Sequence, residues 1–390
     1  MSKNLHVLFI TYAYPQDIDD IKYCFFREQA ESLSDQGIKV GVLSSRLVSL
    51  IKPNGLSFFP KIRYETENNI DVVRCSWNKW IPFNEKSKIY TLKYISSLGF
   101  NEYVKKNGFP DIIHNHSIVY SGFISEYLSY KFKIPFLITE HNSGFKKGDY
   151  DHLLPQILRI CNKSSLCLAV SSNLGLLLKE KIKNSCSWKT HNNLVSNGFF
   201  KEKLNNTNQK DFIFISVGNL IKEKNFSLLL RSFKSFNNKY PNSKLKIVGN
   251  GNQSNELMQI SKNLKIHDKV IFMGTLSRNR VIHEIKNSHV SVSSSNYETF
   301  GIFSAESLSL GKVVISTANM GCDDIINEKV GVIVEVDNEI ELTNAMINVF
   351  ENYKNYHPKK IREYAYNKFS DHIISKNLIT KYVEILKNNF

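Results

Sequence analysis

Long hydrophobic runs are absent. No apolar stretch approaches the ~18 residues a helix needs to cross a bilayer, so a membrane-spanning helix is not expected. The opening LHVLFITYAYP has a short apolar core and no small-residue cleavage site before QDIDDIK. It reads as a buried first strand and not as an export signal. Cysteine is sparse: six residues, at positions 24, 75, 161, 167, 186 and 322, with no CxxC and no framework spacing. That excludes a disulfide scaffold and fits reduced thiols in a cytoplasmic protein. Arginine-rich tracts, zinc-finger spacing and aromatic RNA-binding signatures are also missing, which argues against nucleic acid as a partner. Acidic residues are in the minority, 36 against 51 Lys+Arg, giving +15. The excess is spread evenly, +8 over residues 1–200 and +7 over 201–390, so no basic arm stands out. It suits an anionic partner such as a phosphorylated ligand or a membrane surface, and equally a solvated, lysine-biased exterior.

What is present is regular. A hydrophobic fraction of 42% and a charged fraction of 22% are those of a globular protein, and 390 residues suffice for two cores. Short apolar runs alternate with helical patterns, as in parallel sheets covered by helices. In the first half the strand candidates are HVLFIT, KVGVLS, IDVVRC, DIIHNH, PFLITE and LCLAVS. Phe25, Phe26, Ala30 and Leu33 mark a helical stripe that should stop before Gly37. A second series begins at FIFISVG (212–218) and continues with LKIVG, KVIFMG, HVSVSS, KVVIST and VGVIVE. The polar stretch 201–211 reads as the linker. The expected architecture is α/β, with two doubly wound Rossmann-like domains in tandem, spanning 1–200 and 201–370. Their functional loops lie at the carboxyl ends of the strands, where facing edges would form a cleft. The helical tail from about Pro358, in particular 371–390, has no strand of its own and is expected to pack back on the N-terminal domain.

The sharpest motif is SSSNYETFGIFSAESLSLGK (293–312), in which Glu298 and Glu306 stand in E-x7-E spacing. A strand leads in and a helix from about Phe303 leads out. Gly301 permits close backbone approach to a ligand, and the amides and dipole at the helix start suit a diphosphate. Carboxylates there would accept hydrogen bonds from sugar and ribose hydroxyls. Two solvated surface glutamates are the bland alternative, which the surrounding ETFG weakens. In VGNLIKEKNFSLLLRSF (217–233), strand, glycine turn and helix follow in order. Lys224 near the helix start is repelled by the dipole unless an anion is present, which marks it as a phosphate ligand; an ordinary surface lysine is the alternative. The Gly-x-Gly turn of IVGNGNQ (247–253) is compatible with close approach to a nucleotide, although such turns are common.

In the first half, DIIHNH and LITEH end neighbouring strand candidates. His114 and His116 share a strand face. With His141 they could in principle hold a metal, but no acidic support is visible. The favoured reading packs His114 inside and points His116 into the cleft. Asp149 and Asp151 form a D-x-D just before a helix, where acids commonly complement the dipole; a metal-nucleotide role is the lesser reading.

Taken together, these segments resemble family 4 of the retaining glycosyltransferases, which adopt the GT-B fold, over nearly the whole chain and most strongly over 211–335. ETFGIFSAE is similar to that family's E-x7-E signature. YCFFREQAESLSDQGIKVGVL resembles the opening of bacterial surface-polysaccharide members, and SNG (196–198) the turn closing the first domain. The resemblance implies that Glu306 holds the donor ribose, Glu298 the transferred sugar, and Lys224 the departing diphosphate. Thr299, Phe300 and Gly301 would offer backbone amides. Gly218, Asn219, Gly249 and Gly274 would complete the donor-binding set. His116 would line the reaction centre, with Glu140 and His141 on the acceptor side. No cofactor or metal is implied beyond a UDP- or GDP-linked sugar as co-substrate, because protein cations and amides stabilise the leaving group. The chain departs from the family in carrying Asn219 where arginine is usual, with Lys222 a candidate substitute. It also has Tyr23 and Asn225 where glycine is usual.

The expected reaction is front-face transfer with retention, without a covalent enzyme intermediate, onto a lipid-linked or oligosaccharide acceptor. The segment 77–94 mixes Trp77, Trp80 and Phe83 with Lys79, Lys86, Lys88 and Lys93. That composition suits peripheral contact with an anionic inner membrane, or a helix packed on its own domain. The rival functions are a non-hydrolysing nucleotide-sugar epimerase and a catalytically silent partner subunit of the same fold.

Overall fold

The computed structural model describes residues 5–17, 20, 22–48, 57–78, 84–183, 187–204 and 210–388. The chain divides into two compact units, residues 1–194 with 371–390, and residues 195–370. The division falls before the polar stretch 201–211. The short helix Asn197–Lys201 and Glu202 belong to the second unit, where Glu202 pairs with Lys286 at 2.7 Å.

The first unit carries an eight-stranded sheet: β1 (His6–Thr11), β2 (Lys39–Val48), β3 (Lys61–Glu67), β4 (Ile70–Asn78), β5 (Ile112–His116), β6 (Phe136–Glu140), β7 (Leu166–Ala169) and β8 (Trp188–Thr190), in the order β3-β4-β2-β1-β5-β6-β7-β8. All pairings are parallel except β3 with β4. The six apolar runs of the sequence are β1, β2 and β4–β7. The two strands without such a run, β3 and β8, lie at the sheet edges, where no second face has to be buried. The stripe Phe26, Ala30 and Leu33 of helix Cys24–Asp35 is buried, and the chain leaves it through Gly37 at φ 82°. The C-terminal helix Asp371–Asn388 packs in this unit, with Leu378, Tyr382 and Ile385 in the same core as Ala30 and Leu33 and a Ser32–Ser375 hydroxyl contact of 2.7 Å. Helix Pro358–Phe369 stays in the second unit, so the tail's helical pattern is two helices broken at Ser370.

The second unit carries a six-stranded, wholly parallel sheet: β9 (Phe212–Val217), β10 (Ser243–Val248), β11 (Val270–Phe272), β12 (Val290–Ser293), β13 (Val313–Thr317) and β14 (Gly331–Val334), in the order β11-β10-β9-β12-β13-β14. Each strand is one of the expected runs, because strands covered on both faces need continuous apolar sequence. In both sheets the strand order reverses at the first strand of the series, beside β1/β5 and beside β9/β12. Adjacent connections leave toward opposite faces there, which opens a crevice beyond the carboxyl ends.

Among the described residues, no helix is long and apolar enough to cross a membrane. The five described cysteines are thiols, and Cys186 lies outside the described residues.

Candidate active site

In the first unit the reversal brings His116, the last residue of β5, beside Thr11 of β1. His114 and His116 share a face, as alternation requires, with ring centroids 4.1 Å apart. His114 is committed to the interior: Nδ1 lies 2.6 Å from the Tyr382 hydroxyl and Nε2 2.8 Å from that of Thr139. Nδ1 of His116 lies 3.2 Å from Nε2 of His141, and its own buried Nε2 has no hydrogen-bond partner. Burial pushes both strand imidazoles well below their ordinary pKa, with neighbouring histidines adding to the effect. His141 and His191 are pushed down to about 3 by the same burial. The cluster is neutral at pH 7. His116 and His141 line a cavity of about 460 Å³ together with Tyr12, Tyr23, Phe25 and Phe26. Among the described residues no three His, Cys, Asp or Glu side chains are arranged to hold a metal ion. His114 already spends both ring nitrogens on hydroxyls.

Glu140 differs from its expected place on the acceptor side. It is fully buried, does not line this cavity, and accepts the backbone N–H groups of Ile118, His141 and Asn142 at 2.7, 2.8 and 2.7 Å. It therefore fixes the loop that follows His116 and the one that carries His141. Burial raises its carboxyl to about 7, against the pull of those three donors. Asp151 opens a short 3-10 turn and pairs with Lys181 at 3.1 Å, a local structural role.

In the second unit the loops after β9 and β12 meet. The Asn296 N–H donates to the Glu223 carbonyl at 2.8 Å, and the Ser294 hydroxyl to that of Lys224 at 2.9 Å. This clasp brings the Lys224 ammonium into an ion pair with Glu298. The Ser295 hydroxyl also donates to Glu298, at 2.8 Å, and the Glu298 N–H donates to the Asn319 carbonyl at 2.8 Å. Glu306 lies on helix Ile302–Ser309, nearly all of which is buried, and its carboxylate receives Arg278 at 2.6 Å. The helix can be that buried because Ser307 and Ser309 turn their hydroxyls back onto the carbonyls of Phe303 and Glu306. It starts without a side-chain cap, from Gly301 at φ 89°, a conformation costly for any residue with a Cβ. A lysine, two carboxylates and a helix N-terminus thus gather at one strand-end crevice.

Residues 199–368 match the family model described as glycosyl transferases group 1. Among similar proteins, an uncharacterised Methanocaldococcus jannaschii glycosyltransferase, MJ1059, is 34% identical over 32% of this chain and 30% of its own length. The Bacillus anthracis N-acetyl-alpha-D-glucosaminyl L-malate synthase is 23% identical over 72% of this chain and 76% of its own. A Campylobacter jejuni N-acetylgalactosaminyltransferase, named for a diphospho-undecaprenol-linked acceptor, is 29% identical over 37% and 39%. The match thus spans about a third of the length of the archaeal relative. Sucrose-phosphate synthase from Thermosynechococcus elongatus superposes with a TM-score of 0.77 at 18% identity, covering 99% of this chain and all of that one. Anabaena HepE, solved with UDP and glucose, gives 0.74 at 14%, covering 97% and 100%. The fold is GT-B.

Within residues 199–368 the Gly-x-Gly turn packs against neighbouring backbone. A Cβ on Gly249 would fall 1.9 Å from the Gly218 carbonyl oxygen, and one on Gly251 2.2 Å from that of Leu220. The neighbouring backbone by itself requires glycine at both positions. Gly274 adopts φ 65° in a turn whose carbonyl accepts the Gly249 N–H at 2.8 Å. Asn219 and Lys222 are exposed, Phe300 is buried beside Phe369, and Thr299 is half-buried. Sequence reasoning passed over Arg278. The signal was available: it is the first residue of helix Arg278–Lys286, a cation against the dipole like Lys224.

The two positions where the resembled family carries glycine are both left-handed, Tyr23 at φ 61° and Asn225 at φ 45°. Asparagine tolerates that region better than most residues. Asn225 also caps helix Phe226–Lys239 and donates to Asn296 and Asp337 at 2.9 and 3.0 Å. Asn225→Ala should therefore destabilise by about 3 kcal/mol, combining cap, backbone and buried hydrogen bonds. Asn225→Gly should cost roughly half as much, since it restores the backbone freedom alone. Urea denaturation of the two variants checks this, and equal losses would remove the backbone from the explanation.

Proposed function

We propose that this protein is a retaining glycosyltransferase. It moves a hexose or N-acetylhexosamine from a UDP- or GDP-linked sugar to a lipid-linked saccharide acceptor in surface polysaccharide biosynthesis. The observation that carries this reading is the Lys224–Glu298 ion pair clasped between the two strand-end loops of the second unit, beside the helix that holds Glu306. In the proposed step the sugar–phosphate bond breaks with its electron pair passing to the diphosphate oxygen. The acceptor hydroxyl bonds to the same face of the anomeric carbon, and its proton passes to that diphosphate oxygen. Lys224 leaves Glu298 to neutralise the diphosphate, which frees Glu298 to accept from sugar hydroxyls. Glu306, steadied by Arg278, accepts from the ribose. Neutral His116 presents a polar atom to the acceptor hydroxyl without adding a charge.

Glu306→Ala should lose donor binding, whereas His116→Ala should keep it and lose turnover. Calorimetry with nucleotide sugars and initial-rate kinetics separate the two effects. Normal rates in both folded variants would refute the assignment. NMR of the product anomer tests retention, and conversion of the donor in the absence of acceptor would favour the epimerase instead. Tyr90 and Tyr94 stay exposed on helix Glu85–Asn107, next to Lys86, and support peripheral contact with an anionic membrane. Lys79, Trp80 and Phe83 lie outside the described residues. Sedimentation with anionic but not neutral liposomes is the expected result, and no sedimentation with either would reject it.

A further inference from the structure

The edge of the first sheet concentrates positive charge where its registers leave little choice. Arg63 of β3 stands opposite Arg74 of β4, which stands opposite Ser44 of β2. Two residues along, Lys61, Ser76 and Arg46 form the next row across the same three strands. Period-two alternation puts all six side chains on one face. They line a cavity of about 160 Å³, on the order of five waters' liquid volume. Like charges directly opposite each other on paired strands are destabilising, so this arrangement needs compensation. Part of it is built in. Glu65 reaches Arg63 at 3.1 Å and Arg74 at 2.8 Å, and Glu67 reaches Arg74 at 2.7 Å.

Among the described residues, no ion pair reaches Arg46 or Lys61, at the other end of the cavity. Asp20, whose field is felt by Arg46, already accepts the N–H groups of Gln16 and Lys22 at 3.0 and 2.9 Å. Partial burial and the fields of Arg63 and Arg74 hold the Arg46 guanidinium below its ordinary pKa. Arg63 and Arg74 also donate to the Gln16 and Pro15 carbonyls and add charge at the rim, so the two hydroxyls and the two uncompensated cations, Arg46 and Lys61, make a site for a phosphate or diphosphate. Its position gives the anion a role. The loop after β1 supplies Tyr12 and Ala13 to the aromatic and histidine cavity and Gln16 to this one.

We propose that Arg46, Lys61, Arg63 and Arg74, with Ser44 and Ser76, form a second anion site that receives the phosphate or diphosphate carried by the acceptor. This role rests on the glycosyltransferase reading, whereas the anion site itself does not.

Pyrophosphate titrated calorimetrically into the K224A chain, which lacks the donor-side lysine, should bind. Adding R46Q and K61Q should weaken that binding about tenfold or more, with the thermal melt unchanged. Equal binding in both chains would overturn the site and leave the cations as guards of an exposed sheet edge. With Lys224 intact, R46Q/K61Q should raise KM about tenfold for a diphosphate-linked saccharide. KM for the same saccharide without the diphosphate, and donor hydrolysis, should not change. An equal rise for both acceptors would overturn the acceptor role. A prenyl-linked and a soluble sugar diphosphate should suffer alike; a loss confined to the prenyl-linked one would overturn phosphate recognition in favour of the lipid. If the wild type transfers no sugar while pyrophosphate still binds, the reading of function fails and the anion site stands.

Discussion

Lys224→Ala is expected to lower turnover by roughly 10²–10³, the usual cost of removing one electrostatic stabiliser of developing charge. The physical reason lies in the ion pair with Glu298. Without a donor, each group compensates the other across a half-buried loop junction. In the proposed reaction, the lysine turns to the diphosphate and the carboxylate to the sugar. Removing either partner therefore harms the resting site and the reacting one together. Glu298→Ala should cost a similar factor. The double variant should cost much less than the product of the two, because the partner left behind is no longer stranded. Rates for the three variants close the cycle. Strict multiplicativity would mean that the two residues act independently and that the pair is incidental.

Acid should unfold this protein well before it protonates most carboxylates. His141 and His191 are held at about 3 by burial, and His114 and His116 are lowered as well. In the unfolded chain each returns to about 6.5. Between those values the unfolded state binds more protons. The stability conferred by neutral buried imidazoles is thus complete above about 6.5 and is lost as the pH falls toward 3. Glu140 works in the opposite sense, since its raised carboxyl favours the folded state as the pH falls from about 7. It is one group against four, so the histidines decide the outcome. The urea midpoint should fall on going from pH 7.5 to pH 4.5 by an amount equivalent to a few kcal/mol. His191→Gln should flatten that dependence. A midpoint constant across this range would show that the imidazoles are not held neutral in the folded protein.

Much of the fold could be read from the chain because parallel strands are buried on both faces and leave unbroken apolar runs. All six strands of the second sheet announced themselves in this way. The edge strand β3, with Lys61, Arg63, Glu65 and Glu67 on one face, did not. Its sequence satisfies a half-exposed edge and resembles a polar loop. The candidate site was legible where one residue carries an unusual local demand, as Lys224 does before a helix and Gly301 does at φ 89°. Arg278 made the same demand without a surrounding motif and was passed over.

By itself the sequence determined the two-fold repetition of an α/β plan, the strand-end loops that bear Lys224 and Glu298 with the helix that carries Glu306, and the histidines at the ends of adjacent strands. These follow from local periodicity, turn chemistry and spacing, which operate within a few residues. Only the tertiary structure decided that Glu140 serves the backbone, that Gly249 is set by the Gly218 carbonyl, that Arg278 meets Glu306, and that four cations share one sheet face. Each of those depends on which distant segments become neighbours. That is fixed by strand order and register, which no short stretch of chain encodes.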